Sequence, residues 1–335
     1  AAAGVRLQAH TRDLAVMGLV EVMKHLPFFA GLWRETKRRI TSTRPDLIIP
    51  IDYPGFNLRL ARFARQQRIP VLYFIAPQVW AWHRSRMKQL AQNVDRLAVI
   101  LPFEEGLFRA AGADAHFVGH PLLDLELKTM DRATFARTLN IDGAQPILAL
   151  FPGSRTQEVD RHLALFVEAA RRVRAHYTSV QPVFAAAAGI GINAFRRTGL
   201  PHTDRAADLL AHARGALVKS GTTTLQAALA LVPMVVTYQM HPLTFSLARR
   251  LVDVPHVALA NLVAGEGVVP ELIQDRATPS ALAAALLPLL RETPERARVL
   301  NGLKRVRAKL AIADDGRTAV ERVVALAEDL IEARA

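Results

Sequence analysis

Two short loops combine residue types that can hold a phosphate group. The first loop, 152–157, reads Pro-Gly-Ser-Arg-Thr-Gln and follows a run of apolar residues. Ser154 precedes Gln157 by three residues, which is the spacing of a capping box and predicts that a helix begins there. The free N–H groups of a helix start attract anions, and Arg155 adds a fork of charged donors. The alternative is a capped helix beside an exposed arginine.

The second loop, 219–224, reads Lys-Ser-Gly-Thr-Thr-Thr and leads into the apolar helical segment 225–231. Its small residues Ser220, Gly221 and Thr222 suit a diphosphate cradle. The spacing of a P-loop, with its two glycines followed by Lys and Ser or Thr, is absent. Two loops that suit anions in the same half of the chain are more informative than either loop alone.

A third loop holds a carboxylate that can act as a general base. Asp52 directly follows the apolar run 47–51 and precedes Tyr53, Pro54 and Gly55. At that position Asp52 can accept a proton from an acceptor hydroxyl, or it can cap a helix that starts near Pro54. A further polar stretch, 260–274, contains Asn261 and Gln274. These two side chains can hydrogen-bond a base or a ribose, although their pattern alone equally fits a solvated loop.

Aromatic, apolar and basic residues are combined at two places. The segment 14–33 is strongly apolar, has a predicted break at Pro27 and is followed by Arg34 and Lys37. Such a segment can rest in a membrane interface, or it can be a core helix with a solvated basic end. The segment 77–83 suits lipid headgroups, sugars or nucleic acid, or a core tryptophan. The candidate lipid-contacting residues are Met17, Phe28, Phe29, Trp33, Trp80 and Trp82.

Strands and helices must alternate to position these loops. The predicted strands are 47–51, 71–75, 97–101, 117–118, 147–151, 183–187, 216–218 and 234–237. Continuous apolar strands separated by amphipathic helices are typical of parallel sheets that helices cover on both faces. Right-handed crossovers then give doubly wound α/β domains, in which ligands bind at the carboxyl ends of the strands. We predict one domain over 1–145, a second over 146–317 and a C-terminal helix over 318–335.

Composition sets the class of protein and of partner. The chain has 335 residues, and 51% of them are hydrophobic, which excludes a disordered or fibrous protein. The formal net charge is +13, and 36 of the 43 basic residues are arginine. The partner is therefore expected to be anionic: nucleic acid, a membrane surface or a phosphorylated small molecule. Cysteine is absent, which excludes disulfides, thiolate metal sites and a cysteine nucleophile.

Taken in order, the loops resemble those of the lipid-A-disaccharide synthases. The resemblance extends through nearly the whole chain and rests on segments 14–22, 51–57, 77–82, 101–104, 118–121, 152–155, 220–222 and 261–265. It implies the GT-B fold, with two Rossmann-like domains around a cleft and a C-terminal helix that returns to the first domain. It also implies an inverting transfer of diacylglucosamine from UDP-2,3-diacylglucosamine to 2,3-diacylglucosamine 1-phosphate. The products are the β-1,6-linked lipid A disaccharide and UDP.

The resemblance also implies roles for residues of this chain. Asp52 becomes the base or the carboxylate that orients the acceptor, and Arg155 stabilises charge on the diphosphate. The residues expected to bind UDP are Ser154, Ser220, Gly221, Thr222, Asn261 and Gln274. No metal and no cofactor are expected. The implied partners are a UDP-sugar, an acylated glucosamine phosphate and an anionic membrane surface, with the protein peripheral on the cytoplasmic face of the bacterial inner membrane; a homodimer is allowed.

The chain departs from the family pattern at several positions. Nothing matches the family's opening G-E-x-S-G-D loop, so the first strand-helix unit is expected to be missing, and Gln226 stands where the family usually has Glu. The alternatives are a related GT-B enzyme with another acceptor, a UDP-sugar epimerase, or a non-catalytic remnant that binds nucleotide or lipid. Nucleic-acid binding fits the charge, but the arginines are spread along the chain, so no nucleic-acid partner is expected.

Overall fold

Two parallel sheets organise the chain. The computed structural model describes residues 4, 7, 19–81, 85–126, 128–187, 190–241, 245, 254–312 and 315–333. The first sheet has the order β1-β2-β3, and the second has the order β6-β5-β4-β7-β8-β9. Every strand pairing in both sheets is parallel. The strands are β1 (Leu72–Phe74), β2 (Arg96–Val99), β3 (Ala115–Phe117), β4 (Ile147–Phe151), β5 (Gln181–Ala185), β6 (His202–Thr203), β7 (Ala213–Lys219), β8 (Met234–Tyr238) and β9 (Glu271–Ile273).

Helices connect the strands, as expected for doubly wound α/β units. They are α1 (Leu19–Thr43), α2 (Pro54–Gln66), α3 (Ser85–Asn93), α4 (Pro102–Ala110), α5 (Arg132–Leu139), α6 (Thr156–His176), α7 (Asn193–Arg196), α8 (Ala206–His212), α9 (Thr223–Leu229), α10 (Leu259–Ala264), α11 (Pro279–Leu290), α12 (Pro294–Leu310) and α13 (Ala319–Glu332). Helix α6 packs on α11, while α9 and α10 pack on α12. The predicted α/β fold with two parallel sheets is confirmed.

The predicted strands from 71–75 onward each overlap a strand of the structure, but the segment 47–51 does not form a continuous one. Two isolated bridges take the place of a continuous ladder. Ile48 pairs with Val71, which directly precedes β1, and Ile51 pairs with Phe74, the last residue of β1. Pro50 has no N–H group to donate, which interrupts the ladder. Helix α1 also differs from expectation, because it continues through Pro27, where we predicted a break.

The centre of the second sheet is fully apolar. Strand β4 lies between β5 and β7, and its residues Ile147, Leu148 and Leu150 are completely buried. A central parallel strand has helices on both faces, so both faces of the strand must be hydrophobic. Burying one such side chain contributes about 1.5–3 kcal/mol. The rigid strand therefore fixes the position of the loop that follows Phe151.

The end of the chain lies against the first sheet. Helix α13 buries Ala319, Val323 and Leu330 together with residues of β1 and β2. Arg96 in β2 donates from Nη1 to the Leu326 carbonyl oxygen at 3.2 Å. Thr318 and Glu321 form a capping box at the start of this helix. The chain thus runs from the first sheet to the second and back to the first.

The segment before β4 packs on the second sheet. The Met130 N–H donates to Asp208 Oδ1, and the Nη1 of Arg132 donates to the His212 carbonyl oxygen at 2.8 Å. Phe135 is fully buried and contacts the ring of His212. Helix α5 is therefore attached to the elements around β7, and the domain bounds 1–145 and 146–317 stay a prediction.

Candidate active site

The loop after β4 is shaped around a carboxylate that belongs to the chain itself. Gly153 has a φ of +136°, and a Cβ placed there would lie 2.6 Å from the Cβ of Glu158. The Ser154 N–H donates to Glu158 Oε2 at 3.1 Å. Helix α6 begins at Thr156, and Ser154 accepts no capping hydrogen bond. The predicted capping box of Ser154 and Gln157 is therefore wrong, because Glu158 fills that place.

Two basic side chains converge on the same carboxylate. Lys219, at the end of β7, donates from Nζ to Glu158 Oε1 at 2.8 Å, and Arg155 donates to the same oxygen at 3.1 Å. The Lys219 and Glu158 side chains are 13% and 15% exposed, whereas Arg155 is 55% exposed. Burial opposes ionisation of Glu158, but the hydrogen bond and charge of Lys219 hold its pKa below the usual value. The loop therefore binds an internal anion.

Ser154, Arg155 and Lys219, which donate to Glu158, form an anion cradle. Aromatic residues support this cradle from one side. The Nζ of Lys219 lies 5.0 Å from the centroid of the Tyr238 ring, and His162 stacks on Tyr238. The Nε2 of His162 accepts from the Gln239 N–H at 3.0 Å, so its Nδ1 carries the proton that goes to the Glu158 carbonyl oxygen at 2.7 Å. Burial lowers the pKa of His162, which favours the neutral ring. The support is rigid and fixes the histidine tautomer.

In the loop after β7, one residue is buried and hydrogen-bonded within the protein, and two residues are accessible. Ser220 is buried and donates from Oγ to the Val257 carbonyl oxygen at 2.9 Å. Gly221 has a φ of +155° and approaches Lys219, while Thr222 is exposed. Ser220 thus anchors the loop, and Gly221 and Thr222 are the positions that a ligand can reach.

Asn261 lies behind the loops and does not face them. It is 1% exposed, and its Nδ2 donates to the Val269 carbonyl oxygen and to Glu271 Oε1, at 2.9 and 2.7 Å. Its Oδ1 accepts from the N–H groups of Val268 and Val269. With these bonds made, Asn261 has no polar atom left for a nucleotide. The structure corrects its expected role from nucleotide contact to positioning.

Glu271 and Gln274 complete this support. The Glu271 carboxylate accepts from the N–H groups of Val257 and Ala258, both at 3.0 Å, and so holds the segment that Ser220 contacts. Gln274 has a φ of +52° and makes two hydrogen bonds to the backbone of Met240. In this conformation Gln274 clamps the chain after β8. Its predicted contact with a nucleotide would require these bonds to open.

Asp52 occupies a strained turn at the end of the segment beside β1. Asp52 and Tyr53 have φ values of +47° and +46°, and Ile75 at the neighbouring strand end has +60°. Strained backbone of this kind costs about 1–3 kcal/mol per residue and is concentrated at functional sites. The Asp52 carbonyl oxygen accepts from Tyr73 Oη at 2.6 Å and from Asn57 Nδ2 at 2.7 Å. Local bonds therefore hold the conformation in place.

The carboxylate of Asp52 is left open by this turn. The residue is exposed, and within the described residues no hydrogen bond joins its side chain to another group. The helix α2 begins after Tyr53 without a side-chain cap, so Asp52 does not act as the predicted alternative, an N-cap. Burial and the charge of Asp52 raise the pKa of Tyr73, as expected for a carboxylate next to a buried phenol.

The candidate lipid-contacting residues separate into three groups. Met17 and Trp82 lie outside the described residues. Phe28 is 39% exposed and contacts Phe29 edge-on. Trp33 packs edge-on against Phe56 and Phe63, with the Nζ of Lys37 5.7 Å from its ring. Phe28 is thus the most open of the described side chains in this group.

Trp80 must be removed from the lipid-contacting set. It is 6% exposed, its Nε1 donates to Glu104 Oε1 at 2.9 Å, and its ring contacts Phe103 edge-on. The buried indole satisfies its N–H inside the first domain's core, so it has no surface to offer to a membrane. Among the described residues no helix is long and apolar enough to cross a bilayer.

Glu158, at the centre of the cradle, was not among the site residues predicted from the sequence. Glu158 follows Ser154 by four residues, a spacing that brings its carboxylate back over the start of α6. The partner Lys219 is 61 positions away, so no local pattern reveals the pair. Throughout the described ranges no group of three His, Asp or Glu side chains has the arrangement of a metal site.

Comparisons with known proteins agree in family and in fold. Residues 1–314 match the lipid-A-disaccharide synthetase family. A lipid-A-disaccharide synthase of Acidobacterium capsulatum is 39% identical over 351 residues, covering 100% of this chain and 87% of that protein. The enzyme of the same name from Trichlorobacter lovleyi is 40% identical over 337 residues, covering 98% and 87%.

Solved structures with similar folds are glycosyltransferases and epimerases. The calicheamicin glycosyltransferase aligns with a TM-score of 0.58 at 17% identity, covering 96% of this chain and 83% of its own. The UDP-GlcNAc 2-epimerase of Neisseria meningitidis, bound to UDP-GlcNAc, aligns with a TM-score of 0.57 at 9% identity, covering 90% and 81%. At these identities the likeness concerns the fold alone, and that fold is GT-B.

Proposed function

The chain belongs to the lipid-A-disaccharide synthase family of glycosyltransferases, and from that premise we propose its reaction. It transfers diacylglucosamine from UDP-2,3-diacylglucosamine to 2,3-diacylglucosamine 1-phosphate, forming a β-1,6-linked disaccharide and UDP. The observation that carries the proposal is the anion cradle of Ser154, Arg155 and Lys219 at the carboxyl ends of two neighbouring strands. That edge of a parallel sheet is where nucleotides bind in doubly wound folds.

The cradle is suited to the diphosphate of the donor. Its three donors now hold the Glu158 carboxylate, which shows that they converge on one anion. In the proposed complex the diphosphate displaces that carboxylate and takes its hydrogen bonds. Arg155 and Lys219 then stabilise the charge that grows on the leaving phosphate oxygen as the bond to the sugar breaks. The reaction proposed here needs no metal, because these two cations take the charge.

Asp52 supports the acceptor half of the reaction. The 6-hydroxyl oxygen of the acceptor attacks C1 of the donor sugar, the C1–oxygen bond to the diphosphate breaks, and the electron pair leaves with UDP. Asp52 takes the hydroxyl proton as general base. Its open carboxylate and its strained, hydrogen-bonded turn support this role, because neither feature serves as a helix cap.

We also propose that α1 meets an anionic membrane, at the cytoplasmic face of the bacterial inner membrane. Phe28 is exposed there, and Arg34 and Arg38 are exposed further along the same helix. An apolar side chain combined with cationic ones suits peripheral binding at an anionic interface. Both substrates carry acyl chains, so such contact brings the cleft to the place where they reside.

The test is UDP release from UDP-2,3-diacylglucosamine with the acylated acceptor, compared among the parent chain, two site variants and a control variant. We expect turnover by the parent chain and a loss of about 100-fold or more in kcat for Asp52→Asn. Arg155→Ala is expected to lose about 100-fold as well, since it removes a charged donor from the leaving group. Arg171→Ala is the matched control, because Arg171 is exposed on α6 and bonds to Glu168.

Three results would contradict the proposal. If Asp52→Asn and Arg155→Ala turn over at the rate of the parent chain, the roles assigned to Asp52 and Arg155 are wrong. Conversion of the UDP-sugar without acceptor would indicate an epimerase. UDP binding without turnover in the parent chain would indicate a non-catalytic nucleotide-binding protein.

A further inference from the structure

A cavity of about 400 Å³ lies on the opposite edge of the second sheet. Pro146, which precedes β4, and Arg214, near the start of β7, line it, so it lies at the amino ends of the strands. Strand β4 has five residues, which separates this edge from the anion cradle by about 16 Å. The cavity is therefore distinct from the candidate active site.

Three guanidinium groups line the cavity, and backbone carbonyls hold each of them in place. Arg132 donates from all three of its nitrogens, to the carbonyl oxygens of Gly143, Gln145 and His212 at 2.6–2.8 Å. Because every arm of the fork is fixed, the orientation of the group is set before any ligand arrives. Preorganised donors bind a ligand without losing further side-chain entropy.

The other two guanidiniums are attached to the end of α11. Arg214 donates from Nε to the Leu290 carbonyl oxygen at 3.1 Å, and Arg296 donates from Nη1 to the Leu289 carbonyl oxygen and, at 2.7 Å, to that of Arg214. Carbonyls at a helix end attract cations, so this contact explains part of the cluster. It leaves other donors unused.

Arg296 shows that the positive charge is only partly compensated. It is 8% exposed, and its Nε and Nη2 have no hydrogen-bond partner among the described residues. Because no fully buried side-chain nitrogen among the described residues lacks a partner, these two nitrogens are accessible to solvent, and Arg296 lines the cavity. Burial and the charge of Arg214 lower the pKa of Arg296, and the charge of Glu292 opposes this shift only in part.

None of the residues that line the cavity is acidic, and Glu292 beside it balances part of the charge of Arg214 and Arg296. Arg214 pairs with Glu292, but that side chain is 83% exposed and does not line the cavity. Tyr177 adds an aromatic wall, and the guanidinium of Arg291 lies 5.2 Å from its ring. Three guanidinium groups with unused donors, against the single carboxylate of Glu292 outside the lining, are the composition of an anion site. An aromatic wall suits an organic molecule beyond the anionic group.

We propose that this cavity is a second anion site, which binds the phosphate group of a phosphorylated molecule independently of the active site. A phosphate monoester offers three oxygens with a double negative charge, and planar guanidinium forks match that geometry better than single ammonium groups. The volume leaves room for more than the phosphate. The site does not depend on the reaction proposed above, because none of its residues belongs to the anion cradle.

The test is calorimetric titration of the full chain with inorganic phosphate, in the parent, in two site variants and in one control variant. Arg155→Ala removes a donor of the anion cradle and is expected to keep the phosphate affinity within about twofold. Arg214→Met is expected to bind phosphate at least tenfold more weakly, the loss typical of one charge-assisted hydrogen bond. Arg298→Met is the matched control, since Arg298 is exposed on α12, the helix that carries Arg296.

Two additions keep the result decisive. Arg214→Lys replaces the Met variant in the test if the Met variant does not fold. It retains the charge without the guanidinium fork, so we expect it to bind phosphate several-fold more weakly than the parent. Sedimentation with phosphatidylcholine vesicles, with and without phosphatidic acid, separates the sources of the phosphate. If the parent binds vesicles with phosphatidic acid and Arg214→Met does not, the phosphate belongs to a lipid headgroup. If the parent does not bind these vesicles, the phosphate belongs to a soluble molecule.

The proposal is overturned by either of two results. One is no phosphate binding at millimolar concentration, which would leave the arginines as caps for the end of α11. The other is binding that Arg155→Ala abolishes and Arg214→Met leaves intact, which would place the phosphate in the anion cradle.

Discussion

Replacing Glu158 with Gln should strengthen UDP binding while it weakens the fold. The Glu158 carboxylate accepts from Lys219, Arg155 and the Ser154 N–H, at 2.8, 3.1 and 3.1 Å. A diphosphate that uses the same donors must displace this carboxylate and then remain near its charge. The glutamine keeps the shape of the side chain but removes that charge, so both costs of ligand binding decrease.

The size of the gain follows from Coulomb's law. Two unit charges about 5 Å apart interact by about 3 kcal/mol at an effective dielectric constant near 20, and by less than 1 kcal/mol in water. Arg155 is 55% exposed, so the site is partly open to water and a repulsion of about 1–2 kcal/mol is reasonable. Each 1.4 kcal/mol is a factor of ten, so UDP should bind about 5–30-fold more tightly.

The expected cost in stability has the opposite sign. Loss of the charge on Glu158 weakens a hydrogen bond to Lys219 in a pair that is mostly buried, at about 1–3 kcal/mol of unfolding free energy. The pKa of Glu158 is depressed in the folded chain, so the stability it contributes is present above the pKa of the unfolded chain. This contribution is lost as the pH falls through the folded pKa, and the Tm difference between the two proteins should shrink in acid.

The measurements are UDP titration by calorimetry at low and high salt and thermal unfolding from neutral to acidic pH. The affinity gain should narrow as salt rises, since partly exposed charges are screened. Glu168→Gln is the matched control: Glu168 lies on the same helix and pairs with Arg171 and Arg172 on the surface. It should change neither UDP affinity nor stability by more than about 0.5 kcal/mol. Weaker UDP binding by Glu158→Gln would refute the reasoning, because Glu158 would then be needed to organise the cradle.

Three further predictions concern the fold and the acceptor side. Burial raises the pKa of Glu104 to about 7, so between about pH 4.5 and 7 the folded chain binds more protons than the unfolded chain. The unfolding free energy therefore falls as the pH rises through that window. In urea unfolding, Glu104→Gln should remove about 3 kcal/mol of this decline. Gly302→Ala should lower the unfolding free energy by about 1–3 kcal/mol, because its Cβ would overlap the Val268 side chain, and an unchanged Tm would contradict this contact. Tyr73→Phe removes the hydrogen bond to the Asp52 carbonyl oxygen, so we expect the unfolding free energy to fall by about 1 kcal/mol. We also expect a lower kcat with an unchanged KM for the donor. An unaltered kcat would show that the turn does not need this bond.

Much of the fold could be predicted because its signals are local. The apolar run 147–151 is a central strand of the second sheet, and the segment 318–335 contains the C-terminal helix. The segment 47–51 shows the limit of such signals. Its apolar residues predict a strand, but the proline within it breaks the ladder to two bridges. Strands β6 and β9 are not continuous apolar runs, because β6 consists of His202 and Thr203 and β9 begins with Glu271, so they were not predicted.

The candidate site was predicted in its loops but not in its contacts. Ser154, Arg155 and the residues after β7 come together at the sheet edge, as parallel strands require. The sequence could not show that Asn261 and Trp80 are buried with their polar atoms satisfied, since Trp80 meets Glu104 from 24 positions away. Nor could it show that Glu158 occupies the cradle, because Glu158 lies on α6 and its partner Lys219 lies 61 positions away at the end of β7.

The sequence alone determined the class of the protein: two parallel α/β sheets, loops that suit anions, and motifs in the order of one enzyme family. These properties depend on residue type and short spacing, which the chain carries in itself. Tertiary structure alone decided which charges meet. It placed Lys219 on Glu158 and brought Arg132, Arg214 and Arg296 to one cavity, because such pairings arise only when distant segments pack at the two edges of one sheet.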